Sequence, residues 1–241
     1  MIFYFVRHGD PIYDPDSLTE LGHKQAETLA ERFQANGLDE IYASTSTRAM
    51  QTAEPTAKAL QKEIKPCPWA HEGLAWEQLT VPTADGGKTW CFYSVEMREK
   101  LNAPEVLALG ENWASHPYFE NTKFGVGIER MKREADAFFE KLGFSHDRKL
   151  RRYIPLNAYT GREKRVALFA HQGMGLAFLS AVLDIPYPLI CTRFDMTHTG
   201  VTVIRFDETK PFTYPCVLQL SETSHLYKQE FFTGYNNGTF L

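Results

Sequence analysis

The sequence predicts an α/β fold of three layers, α/β/α, with a mostly parallel central sheet and a largely helical insertion covering one edge. Short apolar runs rich in β-branched and aromatic residues alternate with helical patterns at both ends of the chain, which is typical of βα units in a helix-covered sheet. The middle of the chain is instead rich in Trp, Pro and Gly and has a single periodic helix. We therefore expect one domain over residues 1–241, with an insertion at about residues 66–160.

The N-terminal part is predicted to form two βα units. Residues 2–6 are apolar, as in a buried strand. Thr19 is suited to cap a helix whose apolar residues recur every three or four positions, and Gly37 is suited to end it. A second strand at residues 41–43 precedes a second helix. Pro55 must lie in the first turns of that helix or kink it, because proline lacks the amide hydrogen that a helix interior uses.

The C-terminal part repeats this alternation of strands and helices. Residues 166–170 form the clearest later strand, and residues 175–183 are apolar enough for a buried helix. Residues 201–206 and 216–220 also have strand character. The periodic helix of the insertion has an apolar face of five side chains, Ile128, Met131, Ala135, Phe138 and Leu142.

Composition and charge exclude several classes of protein. The chain has 26 basic and 30 acidic residues, and its net charge of −4 gives no basic field to hold nucleic acid in bulk. No run approaches the roughly 18 apolar residues of a transmembrane helix, and residues 2–6 are too short for a signal-peptide core. The four cysteines lack the Cys-x-x-Cys spacing of a zinc knuckle or redox pair. We expect a cytoplasmic protein with no nucleic-acid or membrane partner.

Histidine and arginine residues follow three of the predicted strands. Arg7 and His8 come directly after the first strand, and residues 44–53 open the helix after the second. Arg48 is unfavourable in the first turn of a helix unless an anion binds there; a solvated arginine is the alternative. His171 follows the strand at residues 166–170. Ligands of parallel sheets bind at the carboxyl ends of strands, so these residues indicate a site.

The same residues resemble the motifs of the histidine phosphatase (phosphoglycerate-mutase-like) superfamily, branch 1. The chain has Gln172 where the other branch has an aspartate after the second histidine. The matching pieces occur in the family's order and leave the insertion largely unmatched; they are Arg7-His8-Gly9, residues 18–26, residues 44–53 and Ala170-His171.

The resemblance implies a phosphatase that acts on a small phosphorylated metabolite through a phosphohistidine intermediate, with no metal and no other cofactor. His8 would be the nucleophile that accepts the phosphoryl group. Arg7, Arg48 and His171 would bind the phosphoryl oxygens, and His171 would belong to the catalytic set as well.

A carboxyl group must also protonate the leaving oxygen and then activate water. The family places a glutamate for this role after its third strand, and Glu72 is the candidate, with Glu77 as the alternative. In relatives this glutamate lies several residues before a glycine, whereas Gly73 follows Glu72 directly. Many relatives also have Ser or Thr, and then Asn, where this chain has Pro11 and Asp14. We assign no role to Asp14.

Three other sets of residues keep two interpretations each. A basic run could face a polyanionic substrate or be solvated surface; it consists of Arg148, Lys149, Arg151 and Arg152, with Arg162, Lys164 and Arg165 nearby. The remaining histidines are interpreted as surface or hydrogen-bonded residues: His23, His71, His116, His146, His198 and His225. The aromatic residues of the insertion could line a pocket for a ring-bearing leaving group or form a small core; they are Trp69, Trp76, Trp90, Phe92, Tyr93, Trp113, Tyr118 and Phe119.

Two alternatives to hydrolysis stay open. A phosphoglycerate mutase would use the same phosphate-binding residues but return the phosphoryl group to another hydroxyl. The Arg- and Tyr-containing stretch that mutases usually have near the acidic glutamate is not recognisable at residues 71–77. A catalytically silent phosphate-binding protein could use the same fold. The aromatic insertion could also bury surface against a second copy, which would make a homodimer.

Overall fold

The computed structural model describes residues 1–231. In this part of the chain, twelve strands form one six-stranded sheet and three two-stranded sheets. The strands are β1 (Ile2–Arg7), β2 (Pro11–Tyr13), β3 (Asp16–Leu18), β4 (Glu40–Ser44), β5 (Ile64–Cys67), β6 (Thr80–Pro82), β7 (Lys88–Trp90), β8 (Phe144–Asp147), β9 (Arg152–Pro155), β10 (Arg165–Ala170), β11 (Val201–Arg205) and β12 (Cys216–Glu222). The α-helices are α1 (Glu20–Asn36), α2 (Thr47–Leu60), α3 (Glu72–Leu79), α4 (Val95–Leu101), α5 (Pro104–Leu107), α6 (Phe124–Lys141), α7 (Gln172–Leu183), α8 (Tyr187–Cys191) and α9 (Ser224–Tyr227).

The six-stranded sheet has the order β12-β11-β1-β10-β4-β5. Its strands β1, β10, β4 and β5 pair in parallel, and β11 runs antiparallel to both of its neighbours. The mostly parallel sheet predicted from the sequence is therefore confirmed. Because β1, β10 and β4 are adjacent and parallel, the residues that follow them lie close together at the carboxyl ends of these strands.

Helices cover both faces of this sheet, which confirms the three predicted layers. Alternate side chains of β1 point to opposite faces. Tyr4 and Val6 lie in a core that includes residues of α1 and α2. Phe3 and Phe5 lie in the other core, with residues of α6 and α7. The ring of Phe178 in α7 stacks on Phe5 at 5.6 Å between centroids.

The insertion begins after β5, the edge strand of the sheet. Its helix α6 packs against α7. The insertion therefore extends one of the two helical layers, in addition to following the edge strand β5. Trp69, just after β5, stacks on Phe178 of α7 at 5.9 Å. The buried aromatic residues of the insertion continue the core that contains Phe3 and Phe5, and in this part the Trp113 ring lies 5.2 Å from Phe119 and 5.9 Å from Tyr187 of α8. The periodic helix predicted in the insertion is confirmed as α6.

The predicted limits of the first helix are confirmed. Thr19 Oγ1 accepts a hydrogen bond from the Gly22 amide at 3.0 Å, and Gly37 ends the helix with a φ of 72°. Pro55 lies inside α2, however, rather than in its first turns. Among residues 1–231, no helix is both long and apolar enough to cross a membrane.

Candidate active site

The residues predicted from the sequence converge at the carboxyl ends of β1, β4 and β10. Arg7 ends β1, and the amide of His8 donates to Ala170 O, the last carbonyl of β10, at 2.9 Å. His171 follows β10 and precedes α7. Arg48 lies in the first turn of α2, just after β4. All four predicted side chains are buried.

His8 is held in one tautomer. Its Nδ1 lies 2.7 Å from Gly9 O, and because a carbonyl oxygen only accepts, Nδ1 bears the proton and Nε2 keeps its lone pair. Burial, followed by the charges of His171, Arg7 and Arg48, holds the pKa of His8 well below its usual value. His8 is therefore a neutral imidazole near pH 7, as a nucleophile must be.

Two glycines allow the turn after His8 to pack closely against α1. A Cβ atom on Gly9 would lie 2.7 Å from Gly22 O, and one on Gly22 would lie 2.2 Å from Asp10 O. The Gly9 amide also donates to Thr52 Oγ1 of α2 at 3.0 Å. The backbone that positions His8 is thus fixed by close contact with two helices.

His171 faces His8 across the site, with ring centroids 5.2 Å apart. Its Nε2 lies 2.8 Å from Ser44 Oγ and 3.3 Å from Ser46 Oγ, which both come from the polar segment after β4. Its Nδ1 lies 3.5 Å from Glu72 Oε2. Burial, with the nearby positive charges, holds the pKa of His171 well below its usual value. Both histidines are therefore neutral in this state.

Glu72 is the first residue of α3 and reaches the same cluster. Its Oε2 accepts from Arg48 Nη2 at 2.9 Å, and its Oε1 accepts from the amide of Gly173 in the first turn of α7 at 3.1 Å. Glu77, the alternative, is exposed on the same helix. The structure thus brings Glu72, and not Glu77, to the two histidines.

His8, His171 and Glu72 form a compact group of potential ligands. One ring nitrogen from each histidine and one carboxylate oxygen all lie within 4.8 Å of one another. A metal ion could be held at such spacing. The buried guanidinium groups of Arg7 and Arg48 beside the group repel a cation and favour an anion such as phosphate.

Asp16 is a site residue that the sequence did not indicate. Its Oδ1 accepts from Arg48 Nη1 at 2.7 Å, and its Oδ2 accepts from the Thr47 amide at 2.7 Å. Asp14, at a position where many relatives have Asn, is exposed. Pro11 begins the short strand β2. Asp16 was missed because the hairpin of β2 and β3 has no clear strand pattern in the sequence.

His198 is a second residue that sequence reasoning missed. Its ring lies 5.8 Å from that of His8, and its Nδ1 lies 3.5 Å from Asp10 Oδ1. Burial, followed by the charge of Arg7, lowers the pKa of His198 to about 3. His198 reaches the site because β11 runs antiparallel to β1. The segment before β11 therefore lies next to the carboxyl end of β1. No local motif marks such a residue.

A cavity of about 520 Å³ opens beside the cluster. Arg48 and Glu72 form part of its wall, and three aromatic rings form most of the rest. The ring of Trp76 meets that of Trp90 edge to face, with 5.1 Å between centroids. The lining residues are Tyr13, Arg48, His71, Glu72, Gly73, Trp76 and Trp90. Of the aromatic residues of the insertion, Trp76 and Trp90 line this cavity, Tyr118 is exposed elsewhere, and the others pack in or against the core.

The basic run lies away from this site. Arg148 pairs with Asp136 and with Asp184, at the opposite end of α7 from His171. His146 lies between the same two carboxylates, 2.8 Å from each. These charged groups form a structural network rather than a surface that faces the cluster.

Three solved structures with the same fold are phosphatases. Phosphoserine phosphatase from Entamoeba histolytica, in complex with phosphoserine, is 18% identical with a TM-score of 0.58, covering 93% of this chain and 98% of that chain. Mycobacterial glucosyl-3-phosphoglycerate phosphatase, in complex with inorganic phosphate, is 16% identical and has a TM-score of 0.60. The match covers 93% of this chain and 98% of that chain. Alpha-ribazole phosphatase from Shigella flexneri is 14% identical with a TM-score of 0.57, covering 92% and 97%. At such identities the likeness establishes the fold alone.

The N-terminal part of the sequence matches a known family. Residues 3–114, just under half of the chain, match the family described as the histidine phosphatase superfamily (branch 1). The match includes Arg7, His8, Arg48 and Glu72. Among curated proteins, none matches the sequence significantly. The N-terminal segment is thus similar to branch 1 of the histidine phosphatase superfamily, and the described residues have the fold of these phosphatases.

Proposed function

We propose that this protein is a phosphomonoesterase that hydrolyses a small phosphorylated metabolite, without a metal ion, through a phosphohistidine formed on His8. The observation that carries this proposal is the state of His8. It is buried and neutral, and its Nδ1 donates to Gly9 O, which leaves the lone pair on Nε2. A carboxylate oxygen of Glu72 and a ring nitrogen of His171 lie within 4.8 Å of a ring nitrogen of His8, and the buried Arg7 and Arg48 lie beside them. The phosphatases with the same fold support the same reaction class.

In the first step, the Nε2 lone pair of His8 attacks phosphorus, and the bond from phosphorus to the ester oxygen breaks. Arg7, Arg48 and His171 bind the phosphoryl oxygens as charge moves onto them. The leaving oxygen takes a proton from the Glu72 carboxyl group. The buried Nδ1 of His171, which has no hydrogen-bond partner among residues 1–231, supports this role because a phosphate oxygen would give it one.

Glu72 takes up its proton from solvent as Arg48 exchanges partners. Arg48 Nη2 donates to Glu72 Oε2 at 2.9 Å. When Arg48 turns to an incoming phosphate, Glu72 loses that cation and gains a negative neighbour. Its carboxyl group is then free of the guanidinium and can hydrogen-bond to the leaving oxygen instead.

In the second step, the Glu72 carboxylate takes a proton from water, and the resulting hydroxide attacks phosphorus. The bond from phosphorus to Nε2 breaks, and His8 recovers its lone pair as inorganic phosphate leaves. One carboxyl group therefore serves as acid and then as base. Glu72 returns its proton to solvent when phosphate leaves and Arg48 pairs with it again, which restores the starting state.

The test is phosphate release from a panel of phosphomonoesters at pH 5 to 8 with EDTA present. Wild type is compared with His8→Ala and with His23→Ala, which alters an exposed histidine of α1. We expect release that resists EDTA, is lost in His8→Ala and is unchanged in His23→Ala. Release that stops with EDTA, or that survives in His8→Ala, would contradict the proposal.

The same panel separates the alternatives. Isomerisation of 3-phosphoglycerate without net release would indicate a mutase. Binding of inorganic phosphate by folded protein, with neither activity, would indicate a silent phosphate-binding protein. A cytoplasmic location and a homodimer stay predictions from the sequence, and sedimentation analysis tests the second.

A further inference from the structure

We infer that the leaving group of the substrate is an aromatic or bulky apolar alcohol, which binds in the cavity of about 520 Å³ beside Glu72. The inference rests on the proposed function, because it takes Glu72 as the group that protonates the leaving oxygen. Glu72 and Arg48 both line this cavity. A phosphoryl group held between Arg48 and His8 would therefore direct its ester oxygen, and whatever that oxygen bears, into this space.

Three aromatic rings from separate elements surround the space. Trp76 lies one turn after Glu72 in α3, on the same side of the helix. Trp90, at the end of β7, meets it edge to face. Tyr13 is at the end of β2, and the Cζ atom of the Arg48 guanidinium lies over its ring, 5.3 Å from the ring centroid. Aromatic walls of this kind bind rings by stacked or edge-to-face contacts.

The exposure of these rings distinguishes them from core residues. Tyr13 is 66% exposed and Trp76 is 37% exposed, whereas Trp113, which lies in the core, is 1% exposed. Trp90 is held in place by its contact with α7, because a Cβ atom on Gly173 would lie 2.4 Å from its ring. The cavity thus has one fixed aromatic wall and two rings whose apolar surface is available to a ligand.

The charges of the cavity disfavour a polar leaving group. Within the described part of the chain, Arg48 is the lining residue with a permanent positive charge, and Asp16 and Glu72 already pair with it. His71 accepts a hydrogen bond from the Gly73 amide through Nδ1. A carboxylate such as that of phosphoserine or phosphoglycerate would find no second cation among these lining residues. A ring would instead bury apolar surface.

The experiment compares two esters with chemically similar leaving oxygens, 3-phenylpropyl phosphate and propyl phosphate. We expect kcat/KM to be at least about tenfold higher for the phenyl ester, and phosphoserine to be poorer than both. In Trp76→Ala the ratio of the two values should fall to about twofold or less. Trp76→Phe should keep most of the ratio. Tyr118→Ala, which alters an exposed ring outside the cavity, should leave the ratio as in wild type.

Binding of the matching phosphonates, 3-phenylpropylphosphonate and propylphosphonate, separates this inference from the proposed function. Tighter binding of the phenyl compound without hydrolysis of any ester would support the cavity assignment and refute the phosphatase. Hydrolysis that depends on His8, with equal kcat/KM for the two alkyl esters or a preference for phosphoserine, would refute the cavity assignment and leave the phosphatase standing. The ester and phosphonate comparisons both use wild type, so the cavity assignment is tested even where a variant fails to fold.

Discussion

Arg48 Nη2 donates to Glu72 Oε2 at 2.9 Å, so the guanidinium proposed to bind phosphate is paired with the carboxyl group proposed to move the proton. Both side chains are largely buried, and each compensates the charge of the other. An incoming phosphate competes with Glu72 for Arg48. In the proposed mechanism, substrate binding therefore releases Glu72 from Arg48 and lets it face the leaving oxygen.

Replacing Glu72 with Gln removes the transferable proton while keeping the shape of the side chain. We expect kcat for an alkyl phosphate to fall by about 100-fold or more, because both steps need the carboxyl group. With p-nitrophenyl phosphate, whose leaving group needs no proton, we expect a rapid burst of nitrophenolate followed by slow turnover. Glu77→Gln, on the exposed side of the same helix, should behave as wild type. Equal losses in the two variants would remove Glu72 from the mechanism.

Replacing Asp16 with Asn tests whether this residue positions Arg48. The carboxylate accepts from Arg48 and from the Thr47 amide, each at 2.7 Å, and an amide side chain has one acceptor oxygen for these two donors. We expect KM to rise by about tenfold, since one charged hydrogen bond is lost. Asp14→Asn changes an exposed carboxylate of the same hairpin and should leave KM as in wild type. Steady-state kinetics at pH 7 checks both; an unchanged KM in Asp16→Asn would rule out the positioning role.

His198 should make the protein less stable in acid. Its pKa is about 3 in the folded state, below the usual value of about 6.5, so below pH 6.5 the unfolded chain binds a proton that the folded chain does not. The stability contributed by neutral His198 is present above pH 6.5 and is lost as the pH falls towards 3. Between pH 6.5 and 4.5, wild type should lose about 2 kcal/mol more than His198→Asn. Urea unfolding at the two pH values measures this, with His23→Asn expected to match wild type.

Gly22 should tolerate no side chain. A Cβ atom there would lie 2.2 Å from the backbone oxygen of Asp10, so Gly22→Ala must displace the turn that holds His8. We expect the free energy of unfolding to fall by about 2 kcal/mol or more. Gly125→Ala, also in the first turn of a helix, would meet Ala114 Cβ at an ordinary 3.7 Å and should raise stability by about 0.5 kcal/mol. Similar effects of the two substitutions would show that the contact at Gly22 is not limiting.

The sequence was sufficient for the parts of the fold that depend on local pattern. The apolar run of β1, the cap at Thr19 and the periodic face of α6 all predict their elements. The positions of His8, Arg48 and His171 followed as well, because each comes directly after a parallel strand. Adjacent parallel strands end at the same edge of a sheet, so local order in the chain became proximity in space.

The missed residues depend on contacts between distant segments. Asp16 reaches Arg48 from a hairpin of two three-residue strands, which are too short to show a period. His198 reaches the site because one strand of the sheet reverses direction. The cavity needs Tyr13 and Trp90 from segments far apart in the sequence. Only the packing of the insertion against the sheet decides which aromatic residues line a pocket and which form a core.

The most direct test of the proposed mechanism is a search for the phosphohistidine itself. Wild type and His8→Asn are mixed with p-nitrophenyl phosphate that carries a radiolabelled phosphoryl group, quenched rapidly in base, and examined for label on the intact protein. We predict a label on wild type that is stable in base, is lost in acid and is absent from His8→Asn. Turnover with no label at any quench time, or a label that persists in His8→Asn, would contradict the mechanism.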